Sequence, residues 1–548
     1  MLSDLRFAFR QLAKSPGFTV IAVLTLALGI GANTAIFSTL NAALLRPLPY
    51  PQADRLVQVF ETRDDGGQNS NAGGAFLDWR EHQTQFDSLA LAARARLNLR
   101  GDKSPLRLEG MEVSHDFFRV FGVRPLLGRD FLPADDQPGG DNNVIILTEE
   151  LWRDKFGANP ALVGTTIMID DVPRTVIGIV PAGAWLYREV QGFVPAVLQP
   201  NTGRSARAPH WANTFGRLKP GVTVEQGAED LRRVKQRLQS QYPVWKKNWS
   251  VAVLSLPKIL TAETRPALLV LLGAVILMLV IACANVANLL LARANDRQHE
   301  IALRAVLGAG RIQLTRLVLT ESMLLAALGG GLGILLSFWS IDLLRQWTAD
   351  VLPRAMAPTI DGRVLGFAVI VTTITGIAFG VAPAWHLLRP DLNQTLKNGG
   401  RGATAGGRNR TQASLVVAQV ALTVVLLSGA GLLFRSMINT ANVSLGFEPQ
   451  HALAFDLSLP DTTYKTLDQR LAFTRTVLER IRALPGVEAA GTGLAIPFAG
   501  GGYGEYIGRP VQNSNFTLGR VDYTDEAVGY PTSPVRIPVE EGKRTKGR

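Results

Sequence analysis

Cysteine is all but missing from this chain: among 548 residues only Cys283 is one. No intramolecular disulfide can form, so cross-links play no part in the fold. Histidine is nearly as scarce. His82, His115, His210, His299, His386 and His451 show no paired spacing of the kind that ligates a metal, and no metal site is expected. Charged residues make up only 19% of the chain against 47% hydrophobic, an unusual balance for a soluble protein of this length. Two catalytic signatures are also missing. There is no G-x-x-x-x-G-K-[ST] loop to cradle phosphates and no G-x-S-x-G turn to expose a serine nucleophile. The chain is therefore expected to have no ATPase activity of its own.

Long apolar runs, by contrast, are plentiful. Five windows, Phe18 to Leu40, Pro266 to Leu291, Leu317 to Trp339, Val364 to Leu387 and Ala413 to Phe434, each reach the roughly 20 residues that cross a bilayer. The first follows Arg6, Arg10 and Lys14 but is longer than the roughly 7–15 residues of a signal-peptide core, so it reads as a retained span. The N-terminal segment and the loops between spans two and three and between spans four and five hold thirteen basic residues against four acids. These three segments supply nine of the formal charges behind the net +12, and they alternate along the chain as cytoplasmic loops should. The basic excess is thus a matter of topology, and nucleic-acid binding is set aside because no single folded face gathers it.

The same topology places the region from about Pro47 to Glu263 outside the cytoplasm. Runs rich in β-branched residues (Leu56 to Phe60, Asn143 to Leu147, Thr165 to Ile169, Arg174 to Val180) alternate there with helical patterns, which predicts an α+β domain. Thr223-Val-Glu-Gln226 reads as a capping box opening a helix with Ala228, Leu231, Lys235 and Leu238 on one face. The acidic pairs Asp135-Asp136, Asp170-Asp171 and Glu149-Glu150 are expected to be solvated rather than catalytic, because adjacent side chains point apart. The glycine run Gly329 to Gly333 falls inside the third span, where small residues let helices approach closely. Asn285 and Asn288, near one end of the second span, are placed to hydrogen-bond between helices. No span has an acid or base at its centre, which argues against a proton or ion path.

Between spans two and three lies HEIALRAVLGAG, His299 to Gly310. As a helix it would gather Ile301, Ala302, Ala305, Gly308 and Ala309 near one side, with Glu300 and Arg304 as an i,i+4 pair worth a few tenths of a kcal/mol. About eight residues is shorter than the roughly 12–15 that are marginal alone, so such a helix needs a docking partner or a lipid surface to hold it.

The stretch from Glu300 to Arg311, with Thr320-Glu321-Ser322 opening the next span, resembles the coupling segment of FtsX-like and MacB-like ABC transporter permeases. SPGFTVIAVLTLALGIGANTAIFSTLNAALLRPLPYP (Ser15 to Pro51) and ETRPALLVLLGAVILMLVIACANVANLLLARA (Glu263 to Ala294) are similar to the large duplicated permeases of the ADOP group. The resemblance covers nearly the whole chain. It implies an α-helical multi-pass membrane protein with an α+β extracytoplasmic MacB-like core domain, seated in the cell inner membrane. It also implies the following domain order: cytoplasmic segment 1–17, first span 18–45, core domain 46–263, FtsX-like three-helix domain 264–390, linker 391–411, fifth span 412–436, and an incomplete second extracytoplasmic domain 437–548.

Internal repetition agrees with a duplicated plan, since a second extracytoplasmic beginning, GFEPQHALAFDLSLP, follows the fifth span. VRIPVEEGKRT near the end resembles part of FFRVFGVRPLLGRDF in the first domain. A second three-span unit does not follow, so a truncated or split form of the duplicated permease is expected. The tail from Gly446, with a helix at Arg470 to Leu484, is expected to be loosely folded and Glu540 to Arg548 disordered.

By this resemblance the implied mechanism is mechanotransmission. A dimer of separate ABC ATPase subunits binds the ATP, and the chain itself holds no cofactor. Glu300, Ile301, Arg304, Ala305, Gly308 and Ala309 form the ATPase-coupling helix. A second permease copy or half, and membrane lipid, complete the partners. The residues leave two alternatives open: a membrane-anchored binding or assembly protein without ATPase coupling, and an enzyme housed in the extracytoplasmic domain.

Overall fold

A computed structural model describes residues 2–63, 66–100, 106–182, 190–199, 206–207, 209–243, 246–262, 264–296, 311–348, 357–387, 409–443, 452–455, 457, 459, 463–492, 503–508 and 518–523. They cluster into two compact units. One comprises Met1–Pro49, Trp185–Arg188 and Pro257–Pro449, the other Tyr50–Ala184, Glu189–Leu256 and Gln450–Arg548.

The first unit is helical. It opens with α1 (Leu2–Ala13) and α2 (Pro16–Leu40), the latter beginning with proline, whose missing N–H costs nothing in a first turn. At Asn41–Leu45 the helix widens into a π-turn, in which the Arg46 amide reaches back five residues to the Asn41 carbonyl at 2.7 Å.

The second unit holds β1 (Leu56–Thr62), β2 (Gln68–Asn69), β3 (Asn71–Ala72), α3 (Gly73–His82), β4 (Phe86–Leu99), β5 (Leu106–Val113), α4 (Phe117–Phe121), β6 (Leu127–Gly128) and β7 (Val144–Thr148). It continues with α5 (Glu149–Phe156), β8 (Thr166–Ile169), β9 (Val172–Val180), β10 (Gly192–Pro195), β11 (His210–Leu218), α6 (Val224–Arg237) and β12 (Ser250–Ser255). The chain then returns to the helical unit with α7 (Leu256–Ala262), α8 (Thr264–Asp296), α9 (Arg311–Thr348), α10 (Gly362–Leu387) and α11 (Asn409–Ala441). Beyond it α12 (Leu467–Arg482) and the antiparallel pair β13 (Tyr503–Gly508) and β14 (Leu518–Tyr523) are described.

Five helices, containing the spans Pro16–Leu45, Thr264–Arg293, Thr315–Gln346, Gly362–Val381 and Ala413–Ala441, are long and apolar enough to cross a membrane. All five sequence windows fall within them. The helices run past those windows because polar residues end the apolar pattern before they end the hydrogen bonding. Threonine hydroxyls inside them donate to the carbonyl one turn back, as Thr34 does to Ile30 and Thr372 to Ala368, so that hydroxyls in an apolar setting keep a partner.

The bundle closes around Leu26, Ile30, Val286, Leu290, Leu325 and Phe379, with α2 lying against both α8 and α9. Small residues set that distance. A methyl on Gly31 would come within 2.9 Å of the Gly333 carbonyl, so only glycine permits the crossing, as the Gly329 to Gly333 run predicts. The interhelical amide is Asn33, whose Nδ2 donates to the Val275 carbonyl at 2.8 Å. That role was expected of Asn285 and Asn288, but the Oδ1 of Asn288 is buried without a hydrogen-bond partner among the described residues.

The α/β unit is built on a twelve-stranded mixed sheet in the order β12-β1-β11-β4-β5-β10-β7-β9-β6, with β2 on β1, β3 on β11 and β8 joining β4 and β9. Three of the four predicted strands lie in β7, β8 and β9 and the fourth in β1. The fourteen-residue β4 ties two cores together. Val57, Val59, Phe76, Trp79, Phe86 and Leu231 fill one, and Leu97, Leu108, Ile145, Leu147, Val176 and Ile179 fill the other. The predicted capping box opens α6. Thr223 Oγ1 accepts from the Gln226 amide at 3.3 Å and Gln226 Oε1 from the Thr223 amide at 2.9 Å.

Candidate functional site

The six residues singled out in sequence, Glu300, Ile301, Arg304, Ala305, Gly308 and Ala309, lie outside the described residues, between the last residue of α8 and the first of α9. The two helices that carry this segment are described, and they meet in a polar joint between the end of α8 and the third turn of α9. Arg293, three residues before the end of α8, donates from Nη1 to Glu321 Oε1 on α9 at 2.9 Å and from Nη2 to the Gln11 carbonyl of α1 at 2.8 Å. Its Nη2 also donates to Ser15 Oγ, in the break between α1 and α2, and its guanidinium lies 4.7 Å from the centre of the Phe18 ring on α2. One side chain thereby ties its own helix to three others, α1, α2 and α9. The Arg293 and Glu321 side chains are only 15% and 12% exposed, so the pair is far less screened than a surface salt bridge. Sequence reasoning placed Glu321 only at the opening of a span, because nothing in a lone arginine 28 residues upstream marks its partner.

The α/β unit holds its charges differently. Lys246 and Glu61 are both fully buried, with Nζ to Oε2 at 2.7 Å, and Lys246 also donates to the Arg207 carbonyl at 2.7 Å. Arg207 in turn clasps Asp78 through Nε at 2.7 Å and Nη2 at 2.6 Å, and the Tyr242 hydroxyl donates to Asp78 at 3.0 Å. Burial alone would lift the Glu61 carboxyl, but the Lys246 ammonium and the His210 ring outweigh it and hold it below the usual carboxylate range.

A second cluster surrounds His115. Its Nδ1 lies 2.8 Å from Asp136 Oδ2 and its Nε2 3.2 Å from Asp116 Oδ2. Burial would depress the imidazole, but these two carboxylates push it up to about 9. Asp135 and Asp136, expected to be solvated, are instead buried at 2% and 4% exposure. Asp135 pairs with Arg129 at 2.7 Å, and Asp136 accepts from His115 and from Arg80, so the adjacent carboxylates point apart toward separate sets of partners. The other pairs are local devices. Asp170 and Asp171 both adopt positive φ in the turn from β8 to β9, and Glu149 sits in the first turn of α5 paired with Arg153.

These clusters join ions to ions. Among the described residues no group of three or more histidine, cysteine, aspartate or glutamate side chains could hold a metal ion.

Residues 19–234 match the MacB-like periplasmic core domain, and residues 272–392 match the FtsX-like permease C-terminal domain. The macrolide export ATP-binding/permease protein MacB of Escherichia coli (strain K12) is 25% identical over 396 residues, covering 71% of this chain and 59% of its own length. The protein of the same name from Shigella flexneri gives the same figures. The chain thus spans about three fifths of the length of the curated relatives it matches.

Among solved structures, the periplasmic region of MacB from Actinobacillus actinomycetemcomitans is 13% identical and covers 39% of this chain and 94% of that one, with a TM-score of 0.29. The extracellular domain of the noncanonic ABC-type transporter YknZ from Gram-positive bacteria is 12% identical and covers 36% and 99%, with a TM-score of 0.28. The chain is an FtsX- and MacB-like ABC permease, a multi-pass membrane protein with an α/β domain of the MacB periplasmic type.

Proposed function

We propose that this FtsX- and MacB-like permease converts ATP hydrolysis on a separate ABC ATPase dimer into movement of its extracytoplasmic domain, driving efflux or release of a substrate there. The ATPase binds the nucleotide; this chain supplies the levers. Residues 297–310 dock on the ATPase through Ile301, Ala305, Gly308 and Ala309, with Glu300 and Arg304 flanking that face. The N-terminal segment and this loop lie in the cytoplasm, and the α/β unit and residues 437–548 lie on the far side of the cell inner membrane. A second permease copy or half completes the transporter, and lipid surrounds it. Macrolides, named for the curated relatives, are the first substrates to assay.

The observation that carries this reading is the position of the segment. It joins two membrane helices, α8 and α9, whose neighbouring ends are tied to α1 and α2 by Arg293. Along the chain, α2 leads into β1 and α8 follows β12, and β1 and β12 are adjacent antiparallel strands with Val57 opposite Ser255. A push on the segment is thereby connected to one strand pair through two helices.

The test is co-purification. Detergent-extracted chain should retain an ATPase, and Gly308→Leu, Glu300→Lys and Arg304→Glu should each weaken its association or uncouple hydrolysis from transport, with the spans still inserted. Unchanged binding and transport in all three would sink the reading.

A further inference from the structure

A lever needs a joint as well as a handle. A displacement of residues 297–310 reaches α8 and α9 through the chain itself, but it reaches α1 and α2 only across contacts between helices. Deeper in the bundle Asn33 and the Gly31–Gly333 approach fasten α2 to α8 and α9; close to the segment the polar crossing is made by Arg293, through Glu321, the Gln11 carbonyl, Ser15 Oγ and the Phe18 ring. We propose that Arg293 is a positioning residue for coupling, the joint that holds the α1–α2 pair to α8 and α9, with Glu321 fixing its orientation; this rests on the coupling reading above.

The chemistry of the site favours arginine for this work. A planar guanidinium carries five donors in a fixed fork and can serve a carboxylate on one side and a carbonyl and hydroxyl on the other while its face rests on an aromatic ring. An ammonium on a flexible stem keeps the charge but cannot hold all four partners at once. Elsewhere α1 is fastened by the burial of Ala8 and Leu12, with Phe9 on the other side exposed, and by the Thr19 hydroxyl of α2, which donates to the Leu12 carbonyl at 2.8 Å. Arg293 is what carries that attachment across to α8 and α9 in polar contacts.

The experiment uses the full chain with Cys283→Ser and Leu12→Cys, in inverted membrane vesicles, probed with a membrane-impermeant maleimide. In this parent the buried cysteine should react slowly. Arg293→Lys, which keeps the charge, and Glu321→Gln, which keeps the shape, should each speed labelling by about tenfold, as expected for weakening one charge-assisted hydrogen bond by ~1.4 kcal/mol.

A second readout is the change that ATP produces in protease cleavage of residues 50–256 when the co-purified ATPase is present. Arg293→Lys should keep the ATPase bound but lose that change, which a merely structural residue would not do. Unchanged labelling in both variants overturns the joint. So does faster labelling with the ATP-dependent change intact. If the parent itself shows no ATP-dependent change while both variants label faster, the joint stands and the coupling reading is what has failed.

Discussion

The helical unit and the α/β unit hide polar atoms by opposite means. In the bundle, hydroxyls fold back onto their own helix, one asparagine bridges α2 to α8, and glycine removes side chains where helices meet. In the α/β unit, whole charges are buried and matched with one another: Lys246 with Glu61, Arg207 with Asp78, His115 with Asp116 and Asp136. The solvent outside explains the difference. A chain folding in water has the hydrophobic effect to offset a desolvated ion pair, whereas helices already in lipid gain no such drive and rely on close packing. The ion pair between Arg293 and Glu321 accordingly sits toward one end of the spans rather than at their middle.

Four experiments would break or sharpen this contrast. Lys246→Met should have the largest effect, destabilising the α/β unit by about 3–5 kcal/mol because it leaves the Glu61 carboxylate buried without its ammonium. Segment-resolved hydrogen exchange should show the loss in residues 50–256 and not in the bundle. A loss shared equally by both units would mean that they do not unfold separately.

Next is pH. The folded imidazole of His115 titrates at about 9 against an ordinary 6.5, so its contribution is complete below about 6.5 and is lost as pH rises through about 9. The loss should amount to about 3 kcal/mol at most, seen as a falling urea midpoint for the α/β unit alone. His115→Gln should flatten the dependence; a parent midpoint that stays level from pH 6.5 to 9 would refute the assignment.

Third, Gly31→Leu should cost the bundle about 1–3 kcal/mol by overpacking α2 against Gly333, read as loss of the monodisperse detergent-extracted species on heating. Gly429→Leu on α11 should do nothing, because a side chain there meets open space. Equal sensitivity at the two positions would erase the distinction drawn between the helices. Smallest is Thr223→Ala, which removes one half of a capping box and should lower α/β-unit stability by about 1 kcal/mol in the same urea titration.

The paired glycine variants also bear on what the sequence makes legible. α2 and α11 look alike as strings: both are apolar, and both carry a G-x-G pair, Gly29 and Gly31 in one and Gly429 and Gly431 in the other. Half of the apolar window of α2 is buried and none of that of α11. Hydropathy reports only whether a helix prefers lipid, and the small-residue pattern has meaning only where a second backbone arrives to use it. Strands are legible where β-branched runs are dense, as in β7 and β9. β4 is not, because its FDSLALAARARLNL mixes small and charged residues and becomes a strand through its neighbours β11 and β5.

The charge clusters were least visible. Glu61 and Lys246 stand 185 residues apart in segments that show no motif, and the His115 cluster was hidden behind an expectation that adjacent aspartates are solvated. Such pairs are chosen by the fold, which brings the ends of β1, β3 and β11 together, and no local rule encodes them. The candidate coupling segment had the reverse character, readable as a string through its small-residue face and its resemblance, with the joint that serves it readable only in three dimensions.

The π-turn at the end of α2 gives the first span a spare residue. With the Arg46 amide bonded to the Asn41 carbonyl, the helix accommodates one residue more in that turn than an α-helix would, and its backbone there remains hydrogen-bonded. Asn41 Nδ2 bonds Asp361 at 2.9 Å and Arg46 Nη1 bonds Thr359 at 3.2 Å, so the surplus is pinned at both ends from the approach to α10. Rewinding to α-geometry would move the surplus along the chain and turn every side chain beyond it about the axis while the helix stays continuous. In mechanical terms the Asn41–Asp361 and Arg46–Thr359 hydrogen bonds are pins that fix the angular setting of the end of the span.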